Sequence, residues 1–264
     1  MRILLTNDDG IEAAGLRTLA AVLAETHEVF VVAPDRERSA TGHAITMHKP
    51  IYPETVDWGK RGITAWKVNG TPADCVKLAI RALLPTAPNL VLAGINHGSN
   101  LGRDIFYSGT VSAAMEAMFT GVSALALSAK TFDQDSLDWI AVFVAQWLNS
   151  SRWQGPAAGE FFNVNFPDLG QGLPDRLVWV PLGHREYHEK FWQQENPRGQ
   201  QYYWLAGEAC DPLDDRPSDV NAVHQGLIAA TPIDLDVTAR QRIDQLEAVE
   251  VARLSITSTP KRAR

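Results

Sequence analysis

Ile3-Leu4-Leu5-Thr6-Asn7-Asp8-Asp9-Gly10 is the stretch whose reading decides the fold. A short apolar run that breaks into a polar turn reads as a buried strand with a loop at its carboxyl end, and that end carries two acids. Downstream, Leu16, Leu19, Ala20 and Leu23 recur at the spacing of an amphipathic helix, and Val29 to Ala33 supplies a second apolar strand. The unit then repeats. Thr71 and Pro72 read as N-cap and first helical residue, Val76, Ala79, Ile80 and Leu83 as the buried stripe, and Leu90 to Ala93 as a strand. A helix is expected after Gly109, a strand at Ala124 to Leu127, a helix through Leu137, Ile140, Ala141, Val144 and Leu148, and a strand at Phe161 to Phe166. Alternation of this kind predicts an α/β fold built on a mostly parallel, doubly wound, Rossmann-like sheet.

Past about residue 175 the rhythm changes. Leu177 to Pro181 reads as a strand, the polar and aromatic stretch from His184 to Asp219 as an excursion, Gly226 to Thr231 as a further strand and Ala239 to Ala248 as a helix. The organisation expected is a catalytic core over residues 1–175 and a β-rich C-terminal extension over 176–264. That extension would carry a projecting hairpin at about 184–219 and a terminal helix, packed on the core and on a partner subunit. Tyr187, Phe191, Trp192, Tyr202, Tyr203 and Trp204 lie in the excursion. Aromatic side chains at that density suit a surface shared between chains, and a hairpin packed on its own domain is the alternative.

Composition narrows the partners. The 264 residues are 45% hydrophobic and 21% charged, with a net charge of -7 and a sequence pI near 5.5. No basic field is present to hold a polymeric nucleic acid or an acidic membrane. The two cysteines, Cys75 and Cys210, share no metal-ligand or redox spacing. Asn7, Asp8 and Asp9 interrupt the first apolar run too early for a secretory core, and no apolar stretch reaches membrane-spanning length. A cytoplasmic location is the expectation.

In an open parallel sheet, ligands collect outside the carboxyl ends of the strands, so the polar residues that follow each strand are the site candidates. Asp8 and Asp9 can converge on one hard cation, magnesium, manganese or calcium; an acidic turn with one Asp capping the next helix fits the dipeptide equally well. The loop Pro34 to His43 brings Arg36, Arg38 and the Ser39 hydroxyl, which can serve a phosphate or a metal or stand as solvated surface charge. Gly94-Ile95-Asn96-His97-Gly98-Ser99-Asn100-Leu101-Gly102 permits close backbone approach and offers amide oxygens, or is an ordinary glycine-rich turn. Tyr107-Ser108-Gly109-Thr110 opens a helix whose free N–H groups can take an anion, or are simply capped by Ser108 or Thr110. Neither His43 nor His97 is assigned as a base. Together the four clusters suggest phosphate chemistry. A dinucleotide oxidoreductase is disfavoured, because no glycine fingerprint follows the first strand. Two rivals are a phosphatase with Asp8 as covalent nucleophile and a nucleotide sensor without turnover.

These stretches also resemble the SurE survival-protein nucleotidases. The likeness runs from Ile3 to Ile11, through Ala33 to Ala40, Val68 to Asp74, Gly94 to Gly102, Tyr107 to Val111 and Asn163 to Pro167, to Thr231 to Asp236. The resemblance implies a Rossmann-like domain with a C-terminal extension that forms dimers or tetramers, and hydrolysis of nucleoside 5′- and 3′-monophosphates; some members also trim short polyphosphate. By position it implies that Asp8, Asp9, Ser39 and Asn96 hold one divalent cation per subunit, Mg2+ or Mn2+. Asp8 and Asp9 would carry the catalysis, and Asn100, Ser108, Gly109 and Thr110 would surround the phosphate. Met115-Glu116-Ala117 departs from the pattern, since many relatives have glycine after the glutamate.

Overall fold

The first strand, β1 (Arg2–Thr6), is buried from Ile3 onward and sits in the middle of the sheet. The computed structural model describes residues 1–214 and 216–243. On one side of β1 lies β2 (Glu28–Pro34), followed by β4 (Ile63–Val68) and the short edge strand β3 (Pro53–Val56). On the other side lie β5 (Leu90–His97), β6 (Ala124–Ala129) and β7 (Phe161–Phe166). β11 (Ile228–Ile233) and β8 (Leu177–Trp179) then complete a nine-stranded sheet. All neighbours pair in parallel except β3 with β4 and β11 with β7. The sheet is therefore the mostly parallel α/β sheet expected, with strand order reversing between β1 and β5.

Helices cover it in two pairs. α1 (Ala14–Leu23) packs with α4 (Gln134–Asn149), and α2 (Pro72–Leu78) with α3 (Gly109–Phe119). The stripe Leu16, Leu19, Ala20, Leu23 is buried as its spacing demands, and so is Leu137, Ile140, Ala141, Val144, Leu148. α2 starts as read, with Thr71 at the N-cap in a reciprocal capping box with Asp74 and Pro72 following. Its continuation Ala79–Leu83 widens into a π turn, closed by the Leu84 N–H on the Ala79 carbonyl. The wider turn shifts the phase of the stripe, so Leu84 is buried while Ile80 and Leu83 are only half-buried.

Two features of the chain depart from the sequence-based expectations. β3 and β4 were not expected, because β3 is exposed and begins with Pro53, and β4 has no clean alternation. β5 runs on to His97 instead of ending at Ala93: its register against β6 shifts between Ala93 and Asn96, and pairing resumes at Asn96 with Ser128. Gly94 to Asn96 thus belongs to the strand, with a cis peptide between Gly94 and Ile95. Of the helix read at Ala239 to Ala248, α6 (Arg240–Ile243) lies in the described residues and the rest outside them.

The excursion is a two-stranded ribbon, β9 (Tyr187–Glu195) and β10 (Gln201–Ala209), exposed along both strands apart from Tyr187. It leads into α5 (Asp219–His224) and back to β11. Residues Met1–Asp234 form one compact unit; of the second, Leu235–Arg264, residues 235–243 are among those described. Among the described residues no helix is long and apolar enough to cross a membrane.

Gly94 has φ +129°, and a Cβ there would stand 2.2 Å from the Leu127 carbonyl oxygen. Gly94→Ala is expected to cost at least about 2 kcal/mol in a urea titration. Gly155→Ala, whose methyl would meet only the Trp153 ring at 3.6 Å, should leave the midpoint in place. Equal midpoints for the two variants would contradict the close approach of β5 to β6.

Candidate functional site

The sheet's topology places its ligand crevice between β1 and β5, where strand order reverses. Asn7 builds the turn after β1: its amide donates to the Gly10 carbonyl at 2.9 Å and accepts the Gly10 N–H at 3.2 Å. Gly10, at φ +101°, meets the backbone of Arg36 and allows the turn to close. The loop after β2 is tied to the same turn, with the Arg38 N–H on the Asp8 carbonyl at 2.7 Å and the Ile11 N–H on the Pro34 carbonyl at 2.9 Å.

This turn delivers Asp8, 4% exposed, to the N-terminus of α3. The Thr110 hydroxyl donates to its Oδ1. The backbone N–H groups of Gly109 and Thr110 also stabilise its charge, and burial raises its pKa against them. Gly109 is required for that approach, since a Cβ there would lie 2.7 Å from Asp8 Cβ. Asp9 stands beside it, held through Oδ2 by the His97 N–H at 3.4 Å. Burial first, and the Asp8 charge second, push its carboxyl up to about 6.

Asp8, Ser39, Asn96, Asn100 and Ser108 all line one cleft of about 690 Å3 at this edge of the sheet. Asp9, Gly109 and Thr110 do not form its wall: Gly109 and Thr110 back Asp8, and Asp9 flanks it. The Ser39 hydroxyl, on an exposed loop, donates to Glu37 at 2.6 Å. Asn96 Nδ2 donates to the Gly98 carbonyl at 2.7 Å. Asn100 is buried and held at three points: its N–H meets Asn165 Oδ1 at 2.8 Å, its Nδ2 meets Ser128 Oγ at 2.8 Å, and its carbonyl receives the amides of Asn163 at 2.8 Å and Asn165 at 3.0 Å. Ser108 Oγ caps α3 by accepting the Val111 N–H at 3.1 Å.

Among the described residues no group of three or more His, Cys, Asp or Glu converges on a metal position. The oxygen donors here are two carboxylates with a hydroxyl and an amide nearby. Two adjacent, desolvated carboxylates of like charge fit a hard divalent cation, which relieves their repulsion.

Neither histidine ring makes a hydrogen bond to Asp8 or Asp9. His97 stacks on Phe132 with centroids 4.6 Å apart. His43 Nε2 lies 3.0 Å from the buried Glu116 carboxylate, which also receives Lys77 Nζ at 2.5 Å. Ala117 is buried in α3 and does not line the cleft.

The cleft also takes in residues that sequence reading passed over. Arg103 and Asp104 fall in the gap between the two segments singled out, Gly94 to Gly102 and Tyr107 to Thr110. Tyr187 and Glu189, with Leu205 to Gly207, come from the ribbon and wall the far side. Asp104 receives Arg185 Nη1 at 2.7 Å and the Tyr187 hydroxyl at 2.6 Å. Burial and that bond push the Tyr187 phenol up to about 12. The buried Asp219 carboxylate accepts the N–H groups of Gly102 at 2.9 Å and Gly183 at 2.6 Å, pinning the glycine-rich segment to the stem of the ribbon.

Residues 3–189 match the family model described as "Survival protein SurE". The chain is similar to the protein described as "5'-nucleotidase SurE" of Synechococcus sp. (strain JA-3-3Ab), 44% identical over 250 residues covering 94% of this chain and 96% of that one. It is similar also to the "5'-nucleotidase SurE" of Symbiobacterium thermophilum, 45% identical over 246 residues, covering 92% and 96%. Among solved structures, the SurE protein from Aquifex aeolicus superimposes with a TM-score of 0.79 at 34% identity, covering 93% of this chain and 98% of that one. A family match that takes in Asp8, Asp9, Ser39, Asn96, Asn100 and Ser108 to Thr110, and relatives aligned over nearly their full length, establish that the chain belongs to the SurE survival-protein family.

Proposed function

We propose that this chain is a divalent-cation-dependent phosphomonoesterase that releases phosphate from nucleoside 5′- and 3′-monophosphates. The observation that carries the reading is the pairing of Asp8 and Asp9 at the reversal point of the sheet, with Asp8 beside a helix N-terminus and on the cleft wall and Asp9 flanking it. The names of the relatives, 5′-nucleotidases, agree with it.

Asp8 and Asp9 would hold the cation, with Ser39 and Asn96 completing the oxygen set. The hold of Gly98 on the Asn96 amide nitrogen leaves Oδ1 as the end suited to a ligand. When bound, the cation supplies Lewis-acid polarisation of the phosphoryl group and of the attacking water. The chain's own residues do the rest. Asp9 is the carboxylate placed to accept a proton from water, because Asp8 Oδ1 is taken by Thr110. Ser108 would turn its hydroxyl to phosphoryl oxygens from the cleft wall, with Gly109 and Thr110 behind it holding Asp8, and Asn100, immobilised by Ser128, Asn163 and Asn165, shapes the adjoining wall.

The ribbon is the surface suited to a homodimer or homotetramer. Phe191 is 64% exposed and its cross-strand partner Leu205 61%, while on the opposite face Trp192 and Trp204 pair. An isolated two-stranded ribbon is marginal in water, and apolar side chains on both faces favour burial against a second copy.

Phosphate release from a panel of nucleoside monophosphates and a short polyphosphate should appear with magnesium or manganese and vanish with chelator. Binding without release under any metal would favour a nucleotide sensor. Asp9→Asn should lower turnover by more than about a hundredfold with an unchanged melting profile; full activity in that variant would remove Asp9 from the mechanism. Replacing Phe191 and Trp204 together by Ser should shift the molecular mass measured by light scattering to that of the single chain. An unaltered oligomer would move the interface elsewhere.

A further inference from the structure

We propose that Arg103 is a phosphate-binding residue, receiving the substrate's phosphoryl group beside the Ser108–Thr110 turn; the inference rests on the phosphomonoesterase reading above. Arg103 lies in the 3-10 turn Gly102–Phe106, which joins Asn100 to Ser108, and it lines the same cleft as both. Its position alone would say little, since exposed arginines are common. Its partners say more.

Among the described residues Arg103 takes part in no salt bridge. The acid next to it is already spent: Asp104 is bound by Arg185 and by the Tyr187 hydroxyl, and Arg185 also reaches Asp211 at 3.4 Å. The Arg103 guanidinium instead stands 5.7 Å from the centroid of the Tyr187 ring. That ring is fixed through its hydroxyl on Asp104, and Arg185 lies 5.4 Å from its centroid. A guanidinium resting near an aromatic ring keeps its N–H edge free, and its planar fork matches two phosphate oxygens. Network and ring thus hold a cation at the cleft wall without neutralising it.

The charge of the cleft gives that cation a purpose. Asp8 and Glu189 face the same space, with Asp9 flanking it, and a phosphate dianion approaching those carboxylates meets repulsion at short range. Beyond whatever a bound metal contributes, a guanidinium on the turn that joins Asn100 to Ser108 offsets this repulsion. Arg103 is therefore suited to the phosphoryl oxygens and not to the base, which has no charge to answer it.

The test uses Arg103→Gln and Arg103→Lys in the full chain with magnesium or manganese present. KM and kcat are measured for adenosine monophosphate and for the base-free ribose 5-phosphate, together with inhibition by inorganic phosphate. Arg103→Gln should raise KM for both substrates, and the inhibitory phosphate concentration, by about tenfold or more, with Arg103→Lys between it and the parent. Unchanged constants in an active enzyme overturn the proposal. So does a loss confined to the nucleotide, which would put the guanidinium on the base. If the parent chain releases phosphate from neither substrate, it is the phosphomonoesterase reading that fails. Calorimetric binding of inorganic phosphate then decides on Arg103 separately: equal affinity in parent and Arg103→Gln overturns its role, and a tenfold loss in the variant sustains it.

Discussion

A carboxylate that is 4% exposed must be compensated, and the way Asp8 is compensated organises the whole edge of the sheet. The N-terminus of α3 supplies the Thr110 hydroxyl and the N–H groups of residues 109 and 110. That contact sets where α3 starts relative to β1 and requires Gly109, because any side chain there would collide with Asp8. It also leaves Asp9, one residue on, with the repulsion unrelieved. Burial raises the pKa of both acids, so the pair as a whole is the natural place for a cation or a proton.

Buried polar side chains hold the loops around the acids. Asn163 and Asn165, both fully buried on β7, reach to the main chain of Asn100. Asp219 binds Gly102 and Gly183, and Asp74 accepts the Thr46 N–H at 2.9 Å and its hydroxyl at 2.6 Å, fastening the loop that follows Ser39. Each satisfied group removes a cost that an orphaned one would impose, so these contacts fix loop geometry. The Asn163-Val164-Asn165 stretch and Asp74 of the Val68–Asp74 stretch act in this way, setting the shape of the site without lining the cleft. The Asp104–Arg185–Tyr187 group extends the same logic to the ribbon, joining its first strand to the cleft wall.

Much of the architecture was legible in the residues alone. Apolar runs ending in polar turns marked β1, β2, β6 and β7, and the stripes of α1 and α4 are buried as their spacing required, because periodic burial is a local property that each segment carries by itself. The acids at the end of β1 were equally visible, since a pair of carboxylates in that place is costly without a purpose. β3 and β4 escaped notice, because edge strands lack the continuous apolar signal of central ones. The extension of β5 through Asn96 could not be seen either, since Gly94 reads as a turn until β6 is placed against it.

What the sequence by itself determined is thus the order of strands and helices, the sheet edge at which the site lies and the chemical character of its residues. Only the tertiary structure decided which of them share a wall, that Asn100 and Ser108 are bound into the scaffold, and that Arg103, Asp104 and Tyr187 join the cleft. The reason is physical: periodicity and turn chemistry act over a few residues, whereas the contacts between Asp104 and Tyr187 or between Asn100 and Asn165 span long stretches of chain. Such contacts exist only once the sheet has brought their segments together.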